Sequence, residues 1–217
     1  MEEKNKKQKS FLFFPGAMFS EKIVKPNTSL LIVFGADGSI GSYEKSFGVE
    51  PRLIFQLAPK SQSETVNING RDLPTYEWNR EASYHIQGII QFKQFIKHVK
   101  EMLEAFRKTN KNYQFEFSNP GKGKKIIFEI VEVEGKKYVK LTYMGPGLEN
   151  KKAVSISLKD PELYFFDYLV QVDNYLPMIL SSSIDLITRT TQSIASNKKE
   201  KEPKTKKQAN FDFDFED

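Results

Sequence analysis

Between Tyr113 and Leu158 the side chains alternate, and that alternation limits what this part of the chain can become. Tyr113, Phe115 and Phe117 alternate with Gln114 and Glu116, and Ile126, Phe128 and Ile130 share one side of the run from Lys124 to Glu134. Lys137, Val139, Leu141 and Tyr143 alternate with Tyr138, Lys140 and Thr142, and Val154, Ile156 and Leu158 with Ser155 and Ser157. A period of two over several residues marks strands with one buried face. Pro120-Gly121-Lys122-Gly123, Glu134-Gly135 and Gly145-Pro146-Gly147 supply turn chemistry between them. A helix follows. Asp160 is placed to cap it, Pro161 suits the first helical position, and Glu162 favours the positive end. Leu163, Phe166, Leu169, Val170 and Asp173 carry it forward, and Pro177 is expected to kink or end it before a further helical piece with Ile184 and Ile187.

The middle of the chain changes period. Ile89, Phe92, Phe95, Ile96, Val99, Met102, Leu103 and Phe106 recur at three- and four-residue spacing, while Lys93, Lys97, Lys100, Glu101, Glu104 and Arg107 fall mainly on the other face. This predicts an amphipathic helix packed on an apolar surface. Ahead of it, Phe11 to Phe19, Thr28 to Phe34 and Arg52 to Ala58 read as strands, with a fourth near Tyr76 to Ile86. Turns are expected at Asp37-Gly38 and at Gly48-Val49-Glu50-Pro51. The expectation is an α+β fold with antiparallel sheets, built of two strand-strand-strand-strand-helix units. These span residues 10–110 and 111–195 of one domain, with a disordered N-terminus at 1–9.

Residues 196–217 differ in kind. Lys198, Lys199, Lys201, Lys204, Lys206 and Lys207 occur without a large apolar residue, so this stretch reads as a flexible linker. It leads to Phe211, Asp212, Phe213, Asp214, Phe215, Glu216 and Asp217, where rings alternate with acids and nothing adjacent can bury them. The net charge is +5 with those four acids included, so the remainder carries +9. A basic body with an acidic, ring-bearing segment suits a polyanion binder whose tail competes for the same surface. The chain has no cysteine, which excludes disulfides and thiolate chemistry and is compatible with a reducing compartment. No apolar run approaches the roughly 20 residues of a membrane span. The expectation is a protein of the cell interior, cytoplasmic, with no membrane partner.

The order of elements resembles that of the Whirly proteins and their relatives, which include the positive-cofactor-four coactivators and phage single-stranded-DNA-binding proteins. The likeness is best from Lys124 to Tyr175, where KKIIFEIVEVEGKKYVKLTYM leads through a Gly-Pro-Gly loop to KKAVSISLKDPELYFFDYL. The step from Ser-Ile-Ser-Leu into Lys-Asp-Pro-Glu is the closest match. The lysine-rich motif of the first Whirly repeat is not evident. The resemblance implies single-stranded DNA as ligand, with RNA as the alternative, and a role in replication or recombination. It also implies oligomers built by helix packing, and it is compatible with a phage source.

Binding single strands requires cations along the phosphates and rings on which unpaired bases stack, at about 1–3 kcal/mol per base. The second-half hairpin offers Lys122, Lys124, Lys125, Lys136, Lys137, Tyr138 and Lys140, with Tyr138 and Lys140 on its open face if Val139 and Leu141 are buried. The ordinary alternative is a solvated sheet face whose tyrosine packs on a lysine stem. Tyr43, Lys45, Phe47 and Arg52 form a second candidate surface, although burial of the two rings is the commoner outcome. Trp78 with Arg80 is a third. Phe211 to Asp217 would dock replication or recombination proteins once DNA displaces them. A transcription or RNA-binding factor, and a scaffold using the tail as a docking peptide, remain alternatives. No catalytic constellation, metal site or cofactor is expected. His85 has no partner at ligand spacing, and His98 lies towards the polar side of the central helix. Gly35 to Gly41 lacks the Lys-Ser/Thr ending of a phosphate loop and reads as a hairpin connection.

Overall fold

The computed structural model describes the backbone of residues 17–40, 47–68, 71–109, 111–148 and 151–200. Side chains are described within these ranges except at 37–40, 47–48, 62–64, 68, 71, 109 and from 183 onward. The fold is α+β, with two antiparallel sheets, each followed by a helix.

The first sheet holds β1 (Ala17–Val24), β2 (Thr28–Ile40), β3 (Phe47–Ile68), β4 (Arg71–Tyr76) and β5 (Ser83–Gln87). It has five strands rather than the four expected. At 22 residues β3 is long enough to carry two partners along one edge, β5 at Arg52–Gln56 and β4 from Lys60 to Ile68. The turns expected at Asp37-Gly38 and at Gly48 to Pro51 are instead paired strand, with Asp37 opposite Glu50 and Gly38 opposite Val49. Turn-prone residues state only a local preference. Here β2 and β3 stay in register over thirteen pairs, and the ladder overrides it. The hairpin connection falls at 41–46, outside the described residues, as do Phe11 to Gly16 of the expected first strand.

Helix α1 (Ile89–Glu104) runs into a π-helical turn at Ala105–Thr109 and buries Phe92, Phe95, Ile96, Val99, Met102 and Leu103, as its periodicity predicts. The second sheet follows as a meander of β6 (Gln114–Asn119), β7 (Lys124–Val133), β8 (Lys136–Met144) and β9 (Val154–Leu158). The β7–β8 connection is the two-residue turn Glu134-Gly135, both at positive φ (52° and 70°), which matches the twist of a tight hairpin.

Asp160 does not cap the last helix. Lys159 takes that place, and its N–H donates to the Glu162 carboxylate at 2.8 Å. Asp160 instead accepts from Arg107 Nε at 2.7 Å, while the rest of that guanidinium grips Asp167 at 2.7 and 2.9 Å. A short 3₁₀ turn then leads into α2 (Tyr164–Glu200), which continues through Pro177. Losing one backbone hydrogen bond there is tolerated because Leu176 before it and Ile179 and Leu180 after it pack on the core. The first five residues of the stretch read as linker are therefore helical.

Both units share one core. Phe95 of α1 lies at its centre with no exposure, 5.6 Å from Phe55 of the first sheet and 5.6 Å from Phe128 of the second, with Phe115, Phe117 and Phe166 at 6.0–6.4 Å. Phe55 and Phe128 also meet edge to face at 5.4 Å. Removing the Phe95 ring strands all of these contacts. Phe95→Ala is expected to cost about 3–5 kcal/mol in urea unfolding, and Phe95→Leu clearly less.

Candidate nucleic-acid interface

The alternation that buries Leu30, Ile32, Phe34, Leu53, Phe55, Tyr84 and Ile86 turns their neighbours to the other side of the first sheet. The pairing arranges those neighbours in rows. Lys22, Leu31, Gln56 and Ser83 form one row, Ser20, Val33, Ile54 and His85 the next, and Gly35, Arg52 and Gln87 the third. Val33 and Ile54 make a small buried patch of their own, with Leu31 beside it.

His85 is the best-connected group on this face. The Ser83 hydroxyl donates to the Arg80 carbonyl at 2.7 Å, so it accepts from His85 Nε2 at 3.0 Å. That leaves His85 Nδ1 to accept from the Arg52 guanidinium at 3.1 Å. A second proton would have to sit between Nδ1 and a cation. Burial, then Arg52, Lys124 and Lys122, accordingly lower the His85 pKa to about 4.

Lys124 reaches this face from the second sheet. Its ammonium donates to the carbonyls of Glu81 and Ser83 at 2.8 and 3.0 Å, and its pKa is lowered by burial and by Lys122. The same Glu81 carbonyl accepts from the Tyr143 hydroxyl at 2.9 Å. Gly147 packs so tightly here that a Cβ would stand 2.5 Å from the Ala82 nitrogen. The loop between β4 and β5 is thereby pinned to the second sheet. A cationic cluster of Arg52, Lys122 and Lys124 closes around a neutral histidine, with the exposed Glu81 as the acid beside Lys124.

The hairpin lysines do not form one surface. Lys122 and Lys124 lie at one end of β7, and Lys136 and Lys137 at the other, about 30 Å away at strand rise. Lys124 and Lys137 point to the inner side, and Lys137 donates to the Phe106 carbonyl at 3.3 Å, at the π turn. Tyr138 and Lys140 do share the second sheet's outer face, as the alternation predicts. Yet Lys140 is paired with Glu129 at 2.7 Å, and Lys125 with Glu116 at 2.6 Å. These carboxylates were legible in the sequence, but their register was not. Exposed Lys136 flanks the tight turn.

Of the second candidate set, Arg52 joins His85. The Phe47 side chain and all of Tyr43 and Lys45 lie outside the described residues, as does the tail from Phe211 to Asp217. Trp78 is half-buried, and Lys22, which sequence reading did not single out, stands over its ring at 5.3 Å. His98 is more than a surface residue. It stacks on Phe115 at 5.1 Å and donates from Nδ1 to the Tyr113 hydroxyl at 2.9 Å, which in turn donates to Glu101. Among the described residues no cluster of three or more metal-ligating side chains occurs, and no helix is long and apolar enough to cross a membrane.

No family model and no curated protein matches the chain. Several solved structures are similar to it, among them three of plant proteins. WHY1 from Arabidopsis thaliana is 14% identical, with TM-score 0.42, covering 85% of this chain and 94% of that one. The plant transcriptional regulator PBF-2 is 16% identical, with TM-score 0.44, covering 78% and 93%. WHY3 from Arabidopsis thaliana is 16% identical, with TM-score 0.40, covering 87% and 99%. These are Whirly proteins, the family that the sequence resembles. At these scores the likeness assigns no ligand and no residue role to this chain.

His85 gives a pH prediction. Its folded-state pKa is lowered, so as pH falls the unfolded chain takes up the proton first. The stability it contributes is full above about pH 6.5 and is lost as pH falls to about 4. The loss should be on the order of 2 kcal/mol after allowance for partial exposure. Melting temperatures of wild type and His85→Gln should therefore converge between these limits. Parallel curves would show that the imidazole is not held neutral.

Proposed function

We propose that the chain is a single-stranded nucleic-acid-binding protein, with DNA as its ligand and little sequence preference. The observation that carries this reading is the convergence of Arg52, Lys122 and Lys124, from two sheets, on one face that also holds Trp78. Phosphates would meet the cations, and unpaired bases the apolar and aromatic surface beside them. The second sheet's outer face, with Lys125, Tyr138 and Lys140, is the weaker surface because those two ammonium groups already have carboxylate partners. Lys136 and Lys137, at the far end of that hairpin, could only extend the track. The reading assigns no catalysis to the chain.

The acidic segment from Phe211 to Asp217 is a tethered competitor for the basic face and, when displaced, a docking peptide for proteins of replication or recombination. What supports this is its composition and the lysine-rich stretch before it. From Glu200 to Phe211 a flexible connection would span roughly 20 Å, enough for a high effective concentration at the body. Assembly into oligomers through the helices belongs to the same reading.

Fluorescence anisotropy of labelled oligo-dT tests it, with single-stranded RNA and duplex DNA as comparison arms. Binding should weaken as salt rises, and Lys122→Ala should reduce the slope of log K against log salt by about 0.7, the contribution of one single-strand phosphate. Lys140→Ala should leave that slope nearly unchanged. Deleting residues 210–217 should tighten binding; equal affinity with and without them would remove the competition. Absence of binding at low salt would overturn the reading as a whole.

A further inference from the structure

The first sheet's outer face carries a feature that phosphate recognition does not use. Trp78 lies above the row of Lys22, Leu31, Gln56 and Ser83. It is held by its own backbone N–H to the Tyr76 carbonyl at 3.0 Å, and by its neighbours. Glu77 N–H donates to the Pro59 carbonyl at 2.9 Å, and Gln56 Nε2 donates to the Asn79 carbonyl at 2.9 Å. The loop that bears it is fixed at its far end by Lys124 and Tyr143. The indole is therefore presented on rigid backbone, half-exposed, and outside the main core. Lys22 is an exposed, flexible side chain on β1, and it occupies the indole face at 5.3 Å. The His85 row lies two residues further along the strands, about 7 Å, and β5 lies three strands across from Lys22, about 14 Å. That separation suits a single strand lying across the sheet, with phosphates of neighbouring nucleotides at the cations.

We propose that Trp78 is the base-stacking platform of this face, taking an unpaired nucleobase on the surface that Lys22 now covers, while the phosphate of the same strand lies towards Arg52, Lys122 and Lys124. The proposal rests on the nucleic-acid reading above and adds the residue that holds the base. A cation over an exposed ring is a weak contact, and a stacked base is the stronger occupant. Lys22 is then released next to the incoming strand, where its charge serves a phosphate. The arrangement tolerates any base, because stacking uses the π-face and not the hydrogen-bonding edge.

Trp78 is the only tryptophan in the chain, so its fluorescence reports this site alone. Titrating the intact chain with unlabelled oligo-dT should quench that emission saturably, with the midpoint found by anisotropy of labelled oligo-dT. An abasic oligonucleotide of equal length should bind more weakly and leave the emission nearly unchanged. Trp78→Ala should weaken oligo-dT binding about tenfold or more, Trp78→Phe by no more than about threefold, and the abasic strand should not distinguish Trp78→Ala from wild type. Circular dichroism confirms that each variant is folded. If Trp78→Ala does not fold, the quenching and abasic arms on the wild-type chain decide the matter. Oligo-dT that binds without quenching, or that quenches no more than the abasic strand, overturns the platform while leaving the nucleic-acid reading intact. Oligo-dT that does not bind at low salt overturns both.

Discussion

The contact of Phe95 with rings from both sheets is what makes one molecule of two similar units. Each sheet alone has a single apolar face and would expose it. Helix α1 lies between them in sequence and meets both, so Phe55, Phe128 and Phe166 bury against a common ring. Aromatic pairs in edge and tilted geometry add to the area they bury, and the large payload of each ring makes the joint strong for its size. The consequence for function is geometric. With the inner faces committed to this joint, the outer faces carry the polar and charged groups, although Val33, Ile54, Gln56 and Ser83 on the first of them are buried, and the end of β7 is brought against the edge of β5.

That meeting of β7 and β5 is held by polar groups rather than by area. Lys124 and Tyr143 converge on the Glu81 carbonyl, and Gly147 admits the close approach of the loop. A substitution at Gly147 would have to move backbone, since no flexible side-chain end is in the way and its φ of +85° already disfavours a Cβ. The seam therefore combines a rigid loop with cations drawn from distant parts of the chain. Arg52 and Lys124 are 72 positions apart in sequence, yet both bear on His85.

What could be read beforehand follows from which forces act locally. The meander from Gln114 to Leu158, the buried stripe of α1 and the tight turn at Glu134-Gly135 were legible because period and turn chemistry are local properties. The first sheet was less so. Gly48 to Pro51 carries turn signals, but pairing with Ala36 to Ser39 of the preceding strand overrode them. Pro177 signals a break, but packing on either side of it decided otherwise. The site was the least legible part. The hairpin lysines read as one basic surface, yet strand geometry spreads them over both faces and both ends, and cross-strand register hands two of them to Glu116 and Glu129. His85 looked inert because its partners, Arg52 and Ser83, become neighbours only through the pairing of β3 with β5.

The two outer faces differ in a way that bears on which one could take a polyanion. On the second sheet, Lys125 with Glu116 and Lys140 with Glu129 are surface pairs, each worth about 0–1 kcal/mol to stability. Such pairs hardly hold the fold, but they cancel charge where they stand, and a phosphate approaching them meets a carboxylate as soon as an ammonium. On the first sheet the histidine between the cations is neutral, so it adds no repulsion among them; the carbonyls of Glu81 and Ser83 orient Lys124, and the exposed Glu81 carboxylate offsets part of its charge. An anion placed beside His85 would compensate the cations that help to lower its pKa, while burial, the larger cause, would still hold it down. A charge anchored mainly by carbonyls, as that of Lys124 is, stays more available to a ligand than one paired directly with a carboxylate, as those of Lys125 and Lys140 are.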